Sequence, residues 1–214
     1  MNTKRIVFSL MIAIAAIISV NAQSNSNAVK VVDNMLQLLK NNAIKTNFEM
    51  EVKEPSSAQS HRMKGNFTMK ENKFILNTAE MNVYFDGKTQ SAYMTSVNEV
   101  SITNPTEKEL AETNPMAIIS SYKRKSAIKF AKSSISKSFH VIELIPKDKN
   151  SSFKKIVLNV NKTNNYPLFI ELIDKSGMIT DLTLTQFKSG LNISDNTFIF
   201  NPKKYKDIEI NDLR

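Results

Sequence analysis

Residues 81–94 read MNVYFDGKTQSAYM, two alternating apolar runs on either side of an Asp-Gly pair. Side chains on a strand alternate with period two, so Met81, Val83 and Phe85 fall on one face and Asn82 and Tyr84 on the other. Asp86-Gly87 supplies the positive φ that a tight hairpin turn requires. The stretch predicts an antiparallel hairpin with one apolar side, which either packs on a core or holds something else.

The same period extends outward in both directions. In NFEMEV, Phe48, Met50 and Val52 share a face, with Glu49 and Glu51 opposite. HRMKGNFTMK alternates Met63, Gly65, Phe67 and Met69 against polar residues, and KFILNT, the opening hairpin and EVSI follow. These are short strands in meander order, solvated on one face. Residues 106–122, TEKELAETNPMAIISSY, predict two short helices, the second with Asn114 as N-cap and Pro115 at the first helical position. Strands resume as AIKFAKSSI, FHVIELIP, FKKIVLNVN, PLFIELID and MITDLTLTQF, with a turn at Asp174–Gly177. Upstream, Ser26 or Asn27 caps a helix whose Val32, Met35, Leu36 and Leu39 line one side, ending at Asn41-Asn42. The fold class is mainly β with helices (α+β), a single domain of about eleven antiparallel strands. Either one curved sheet forms an open barrel with helices across its mouth, or two sheets form a sandwich; strand count does not separate these.

The chain starts with Lys4 and Arg5, an apolar run from Ile6 to Val20, and Val20 and Ala22 at the −3 and −1 positions of a cleavage site. Those three parts predict a signal peptide over residues 1–22, cut after Ala22, and an exported domain over 23–214. An apolar run of about 15 residues is short for a bilayer crossing, which needs ~20. The segment takes two of the 29 basic residues and none of the 20 acidic ones, so the remainder stays basic. In an exported protein that favours anionic membranes or acidic partners over nucleic acid. Lys123-Arg124-Lys125 and Lys203-Lys204-Tyr205-Lys206 are the basic clusters, read as ordinary soluble surface or as membrane contact. With no cysteine, the chain forms no disulfide and carries no lipid-modified cysteine of its own.

Catalytic signatures are missing. The chain has four glycines and no G-x-S-x-G, G-x-G-x-x-G or P-loop. His140 and Glu143 are three apart on a strand, so they point to opposite faces and cannot share a metal. The reading is of a non-enzyme without metal or cofactor. The stronger signal is 10 Met and 12 Phe, many on the same strand faces. Flexible thioethers specify a unique core poorly and repack well around variable apolar ligands.

Five motifs then occur in order: G-x-F-x-x-K-x-x-K-F (Gly65 to Phe74), DGKT…Y (Asp86 to Tyr93), NP-x-x-I-I (Asn114 to Ile119), V-x-E-L-x-PKD (Val141 to Asp148) and D-x-x-F-x-F-x-P (Asp195 to Pro202). The arrangement resembles the LolA family of periplasmic outer-membrane lipoprotein carriers, in its divergent branch, over almost the whole exported chain. The resemblance implies an unclosed antiparallel barrel with helices as a lid over an apolar cavity. It implies a monomer that takes acylated lipoproteins from an inner-membrane ABC transporter, shields their acyl chains, and hands them to an outer-membrane acceptor. Resemblance and strand face together give a lipid-binding set of Phe48, Met50, Phe67, Met69, Phe74, Leu76, Met81, Phe85, Met116 and Ile119. Within it, Phe74 matches a ligand-retaining residue at a rim that reaches solvent, Leu76 a cavity-wall aromatic, and Met116 and Ile119 lid-helix residues. Two departures stand out. Glu71 falls where proteobacterial members carry an arginine that latches lid to barrel, and Ser91 where they carry a tryptophan. A lipid- or lipoprotein-sensing module, or a general binder of hydrophobic ligands, is the alternative on the same fold.

Amino-terminal sequencing of the exported protein is expected to begin at Gln23. A start at Met1, in protein that pellets with membranes, contradicts the signal peptide.

Overall fold

In the computed structural model, which describes residues 25–57, 59–106, 109–110, 114–132 and 136–214, the alternating runs become strands of one sheet. The segment read as a signal peptide lies outside the described residues. The first half is β1 (Ile44–Lys53), β2 (Ser60–Lys70), β3 (Lys73–Thr78), β4 (Met81–Phe85), β5 (Gln90–Met94) and β6 (Glu99–Thr103). The second is β7 (Ser126–Phe130), β8 (Phe139–Pro146), β9 (Phe153–Asn161), β10 (Pro167–Asp174) and β11 (Ile179–Lys188), with β12 (Glu209–Asp212) last. Their spatial order is β12-β6-β5-β4-β3-β2-β1-β11-β10-β9-β8-β7. One unclosed sheet excludes the sandwich. It has 12 strands rather than eleven, and β12 runs parallel to β6, so the sheet is not wholly antiparallel.

Residues directly opposite across a strand pair share a face. Phe48 sits opposite Gly65 on one side and Leu184 on the other, and Met50 opposite Met63 and Leu182. The ladder continues through Phe67–Leu76, Met69–Phe74, Phe74–Phe85 and Leu76–Val83. In the other direction it runs Leu182–Ile170–Leu158–Ile142. All of these lie on one inner face. Gly65 is required there: a Cβ would stand 2.0 Å from the Asn77 carbonyl oxygen and 3.0 Å from the Phe48 ring.

Helix α1 (residues 25–41) buries Ala28, Val32, Met35 and Leu39 in the same core. Residue 25 is already helical, so Ser26 and Asn27 lie inside the helix rather than capping it. The end is where the sequence puts it, with the Asn42 amide donating to the Leu38 carbonyl at 2.9 Å. Helix α2 (Pro115–Lys123) starts at Asn114, whose side chain accepts from the Met116 N–H at 3.1 Å. Of the other predicted helix, residues 109 and 110 are helical. Thr106 and Glu109 close a reciprocal cap there: the Thr106 N–H donates to Glu109 at 2.7 Å and the Glu109 N–H to Thr106 Oγ1 at 3.4 Å.

The opening hairpin forms, but around a longer loop than a two-residue turn. Asp86 and Thr89 are bonded across it, and the Asp86 carboxylate accepts from the Lys88 and Thr89 N–H groups at 2.9 Å each. Only Gly87 takes positive φ, at +103°.

The outer face of β4–β6 is not solvated as the sequence suggested. The C-terminal segment lies over it. Phe200 packs 5.5 Å from Tyr84 and 6.0 Å from Tyr93, while Tyr205 sits 4.3 Å from Tyr93. The Asn98 amide donates to the Lys206 and Asp207 carbonyls, both at 3.0 Å. At the near end of that segment, Asp195 takes Lys70 at 2.7 Å and Lys73 at 2.6 Å.

These two hydrogen-bonded lysines, Lys70 ahead of Lys73, lower the Asp195 carboxyl from 3.8 to about 2. A lowered carboxyl pKa stabilises the fold above the unfolded value and stops doing so as pH falls through the folded one. Asp195→Asn is therefore expected to lower the thermal midpoint at neutral pH. The gap to the unmodified protein should close as pH drops from 3.8 to about 2. A gap that persists in acid excludes the ion-pair account.

Candidate functional site

Beneath α2, the inner face leaves a cavity of about 120 Å³ lined by Ile44, Thr46, Phe48, Met50, Met63, Phe67, Leu76, Met81, Met116, Leu182, Leu184 and Phe187. Its single polar side chain is satisfied: the Thr46 hydroxyl donates to the Thr185 carbonyl at 2.9 Å. No titratable group lines it. A cavity of this kind stays dry and takes apolar groups, as a ~150 Å³ aliphatic cavity takes benzene.

Outside it, between α1, α2 and the β2–β3 turn, an open trough of about 700 Å³ is walled by residues that include Leu36, Leu39, Met69, Phe74, Phe85, Leu110 and Met116. Its rim is charged, with Asp33, Lys40, Glu71, Lys123 and Arg124. Met116 belongs to both walls, and so stands between trough and cavity.

Helix α2 is tied at its C-terminal end. Lys123 forms an ion pair with Asp33 of α1. The Tyr122 ring lies 5.2 Å from Phe153, edge on, and its hydroxyl accepts from Ser151 at 3.3 Å. Glu71, by contrast, makes no tie to α2 and interacts only at longer range with Lys73. It sits at the two-residue β2–β3 turn with φ of 57° and makes no ion pair among the described residues. Ser91, the second departure, shares the outer face with Tyr84 and Ile102 and does not face the cavity.

The expected residues divide between these two spaces. Phe48, Met50, Phe67, Leu76 and Met81 line the cavity, Met69, Phe74 and Phe85 the trough, and Met116 both. Ile119 is fully buried in the core and reaches neither. Phe74 does not reach solvent as a rim residue would: it is 1% exposed, with rings of Phe67 and Phe85 at 5.7 and 5.4 Å. Sequence reasoning missed Ile44, Met63, Leu182, Leu184 and Phe187 as wall residues. The first four were legible from strand period. Phe187 was not, because it follows Gln186 (φ 51°), where the β1–β11 register shifts and a bulge re-aims the side chain.

His140 and Glu143 lie on opposite faces, as expected. His140, beside Phe130 at 5.3 Å, has its pKa lowered by burial and then by Lys162. Glu143 faces outward to Lys129 and Lys155 at 3.3 and 3.4 Å. Among the described residues, no helix is long and apolar enough to cross a membrane.

A family model described as outer membrane lipoprotein carrier protein LolA matches residues 18–175, which takes in the sheet from β1 through β10. An outer-membrane lipoprotein carrier protein of Photobacterium profundum is 28% identical over 177 residues, covering 81% of this chain and 84% of that one. A conserved protein of Thermus thermophilus, described as uncharacterized, shares the fold at a TM-score of 0.57 and 13% identity, over 87% of this chain and 99% of that one. A LolA superfamily protein of Nitrosomonas europaea superposes at a TM-score of 0.42 and 15% identity, over 81% and 97%.

The empty cavity makes a prediction about Leu76, which occupies its wall. Leu76→Phe is expected to stabilise the free protein by about 1 kcal/mol by filling the void. The same variant should bind the apolar dye ANS more weakly. Urea denaturation and dye titration read the two effects, and a destabilised variant that binds dye more tightly contradicts the assigned wall.

Proposed function

The chain belongs to the outer-membrane lipoprotein carrier (LolA) family, and on that premise we propose that it carries lipoproteins across the periplasm, from inner to outer membrane. The domain is residues 23–214, freed by cleavage after Ala22 and acting as a monomer. An inner-membrane ABC transporter loads it, and an outer-membrane acceptor receives the cargo. The observation that carries this reading is the dry, Met- and Phe-walled cavity under a helix tied at one end. The ten expected lipid-site residues remain the proposed set, joined by Met63, Leu182, Leu184 and Phe187. Ile119 then acts from behind, by seating α2.

Energetics favour such a wall over a close-fitted one. Each buried CH₂ contributes about 0.8 kcal/mol, so an acyl chain of ~15 methylenes represents roughly 12 kcal/mol gross. Two or three chains held perfectly would approach the affinity ceiling near −18 to −21 kcal/mol and would not leave. A carrier needs adaptable, imperfect burial, which methionine supplies.

Native mass spectrometry of the protein purified from its own periplasm tests the reading. Co-purifying acylated protein is expected; free lipids alone would point to a general binder of hydrophobic ligands. Because Phe74 is buried between two rings, a charge there would unfold the core and report nothing about cargo. Met81 is half-buried on the cavity wall. Met81→Glu can hold its carboxylate toward water when free, but closing over lipid would bury it at a cost of several kcal/mol. Loading is expected to collapse with circular dichroism unchanged. Full loading of a folded Met81→Glu protein would sink the site.

A further inference from the structure

The inner face is built from two different materials. On β8 and β9 it presents Ile142, Leu144, Ile156, Leu158 and Val160, an aliphatic face without methionine, three of its five residues β-branched and all at most 1% exposed. β-Branched side chains have one strongly preferred χ1 and resist repacking. On β1, β2 and β4, the same face presents Met50, Met63 and Met81, which are only partly buried and pack at the edge of the core. The cavity is walled by β1–β4 and the adjoining β11, and no residue of α1, β8 or β9 lines it. Met116 faces it from above, in the wall it shares with the trough. The arrangement of α2 agrees, since Tyr122 and Lys123 hold its C-terminal end while Met116 sits in its first turn.

We propose that acyl chains enter from the trough past Met116 and occupy only the side of the interior walled by β11 and β1–β4, while α1 and the β8–β9 side stay packed. The inference rests on the carrier reading and specifies where, and through which side chain, that carrier opens. The thioether of Met116 has three rotatable bonds and no branch, so it can swing from the shared wall without moving its helix. Methionines further in yield next. The aliphatic side holds its packing and keeps the sheet's shape while the other side expands.

The chain has no tryptophan, so a single introduced one reports alone. Phe67→Trp puts it on the cavity wall, with Phe48→Trp as the second choice should the first fail to fold, and Phe130→Trp puts it on the inner face of β7. The probe is a palmitoylated peptide brominated along its acyl chain, whose bromine quenches a nearby indole. The Phe67→Trp or Phe48→Trp protein should lose most of its emission at saturation, and the Phe130→Trp protein very little. Equal quenching at both places overturns the proposal. In stopped flow, Met116→Ala should associate severalfold faster with the same peptide and Met116→Phe severalfold slower. Rates unchanged by both substitutions overturn the gate. A peptide that fails to displace ANS from the unmodified protein overturns the carrier reading itself, and this inference with it.

Discussion

Everything else hangs on the pairing of β1 with β11. Without it, β12 to β1 and β11 to β7 would be two separate half-sheets, joined in sequence through α2 with its flanking loops and through residues 189–208. β1 bonds along its length to β2 on one side and to β11 on the other. A slip of one residue at that junction would turn Phe48 and Met50 outward. The register is held where the Thr46 hydroxyl reaches the Thr185 carbonyl and the Asn47 amide reaches Gln186 at 3.2 Å. The bulge beside them sends Phe187 inward, so the constraint that joins the two halves of the sheet also finishes the cavity wall.

A sheet this wide has more inner face than two short helices can cover. α1 lays four fully or almost fully buried side chains into the core, and α2 adds Met116, Ile118 and Ile119. What they leave unfilled lies against the longest methionine- and phenylalanine-bearing strands. A close-packed interior would be felt as strain by any entering group. Here the void is already present, and the residues around it are those that adapt most easily. Under the proposed function, the packing deficit and the ligand site are the same feature.

Much of this was legible in residues 44–94, because period two is a local signal and the inner face follows from it: Phe48, Met50, Phe67 and Leu76 lie where their alternation puts them. Turn chemistry was legible too, at Asn114-Pro115 and at Asp174–Gly177, where the Asp174 carboxylate accepts from Ser176 at 2.6 Å and Met178 at 2.9 Å. The C-terminal cover was not. Phe200 and Tyr205 meet Tyr84 and Tyr93 across more than a hundred residues, and no local pattern announces such a contact. β12 escaped for the same reason, being four exposed residues paired in parallel with a distant strand. Phe74 was misjudged because strand period tells which face a residue takes and says nothing of how deep that face is covered.

With Glu71 making no ion pair among the described residues, α2 is held over the sheet by other contacts. Of the polar ties on α2, the Lys123–Asp33 pair is partly exposed, and pairs of that kind contribute about 0–1 kcal/mol. The Tyr122–Ser151 hydrogen bond is long, at 3.3 Å. Burial of Met116, Ile118 and Ile119 outweighs both, since a fully buried side chain of this size contributes about 1.5–3 kcal/mol. Closure therefore rests on apolar contact between α2 and the sheet, the same kind of contact an acyl chain offers. Under the proposed function, an acyl chain entering the cavity would replace the apolar contact that Met116 gives up, with no charge having to break.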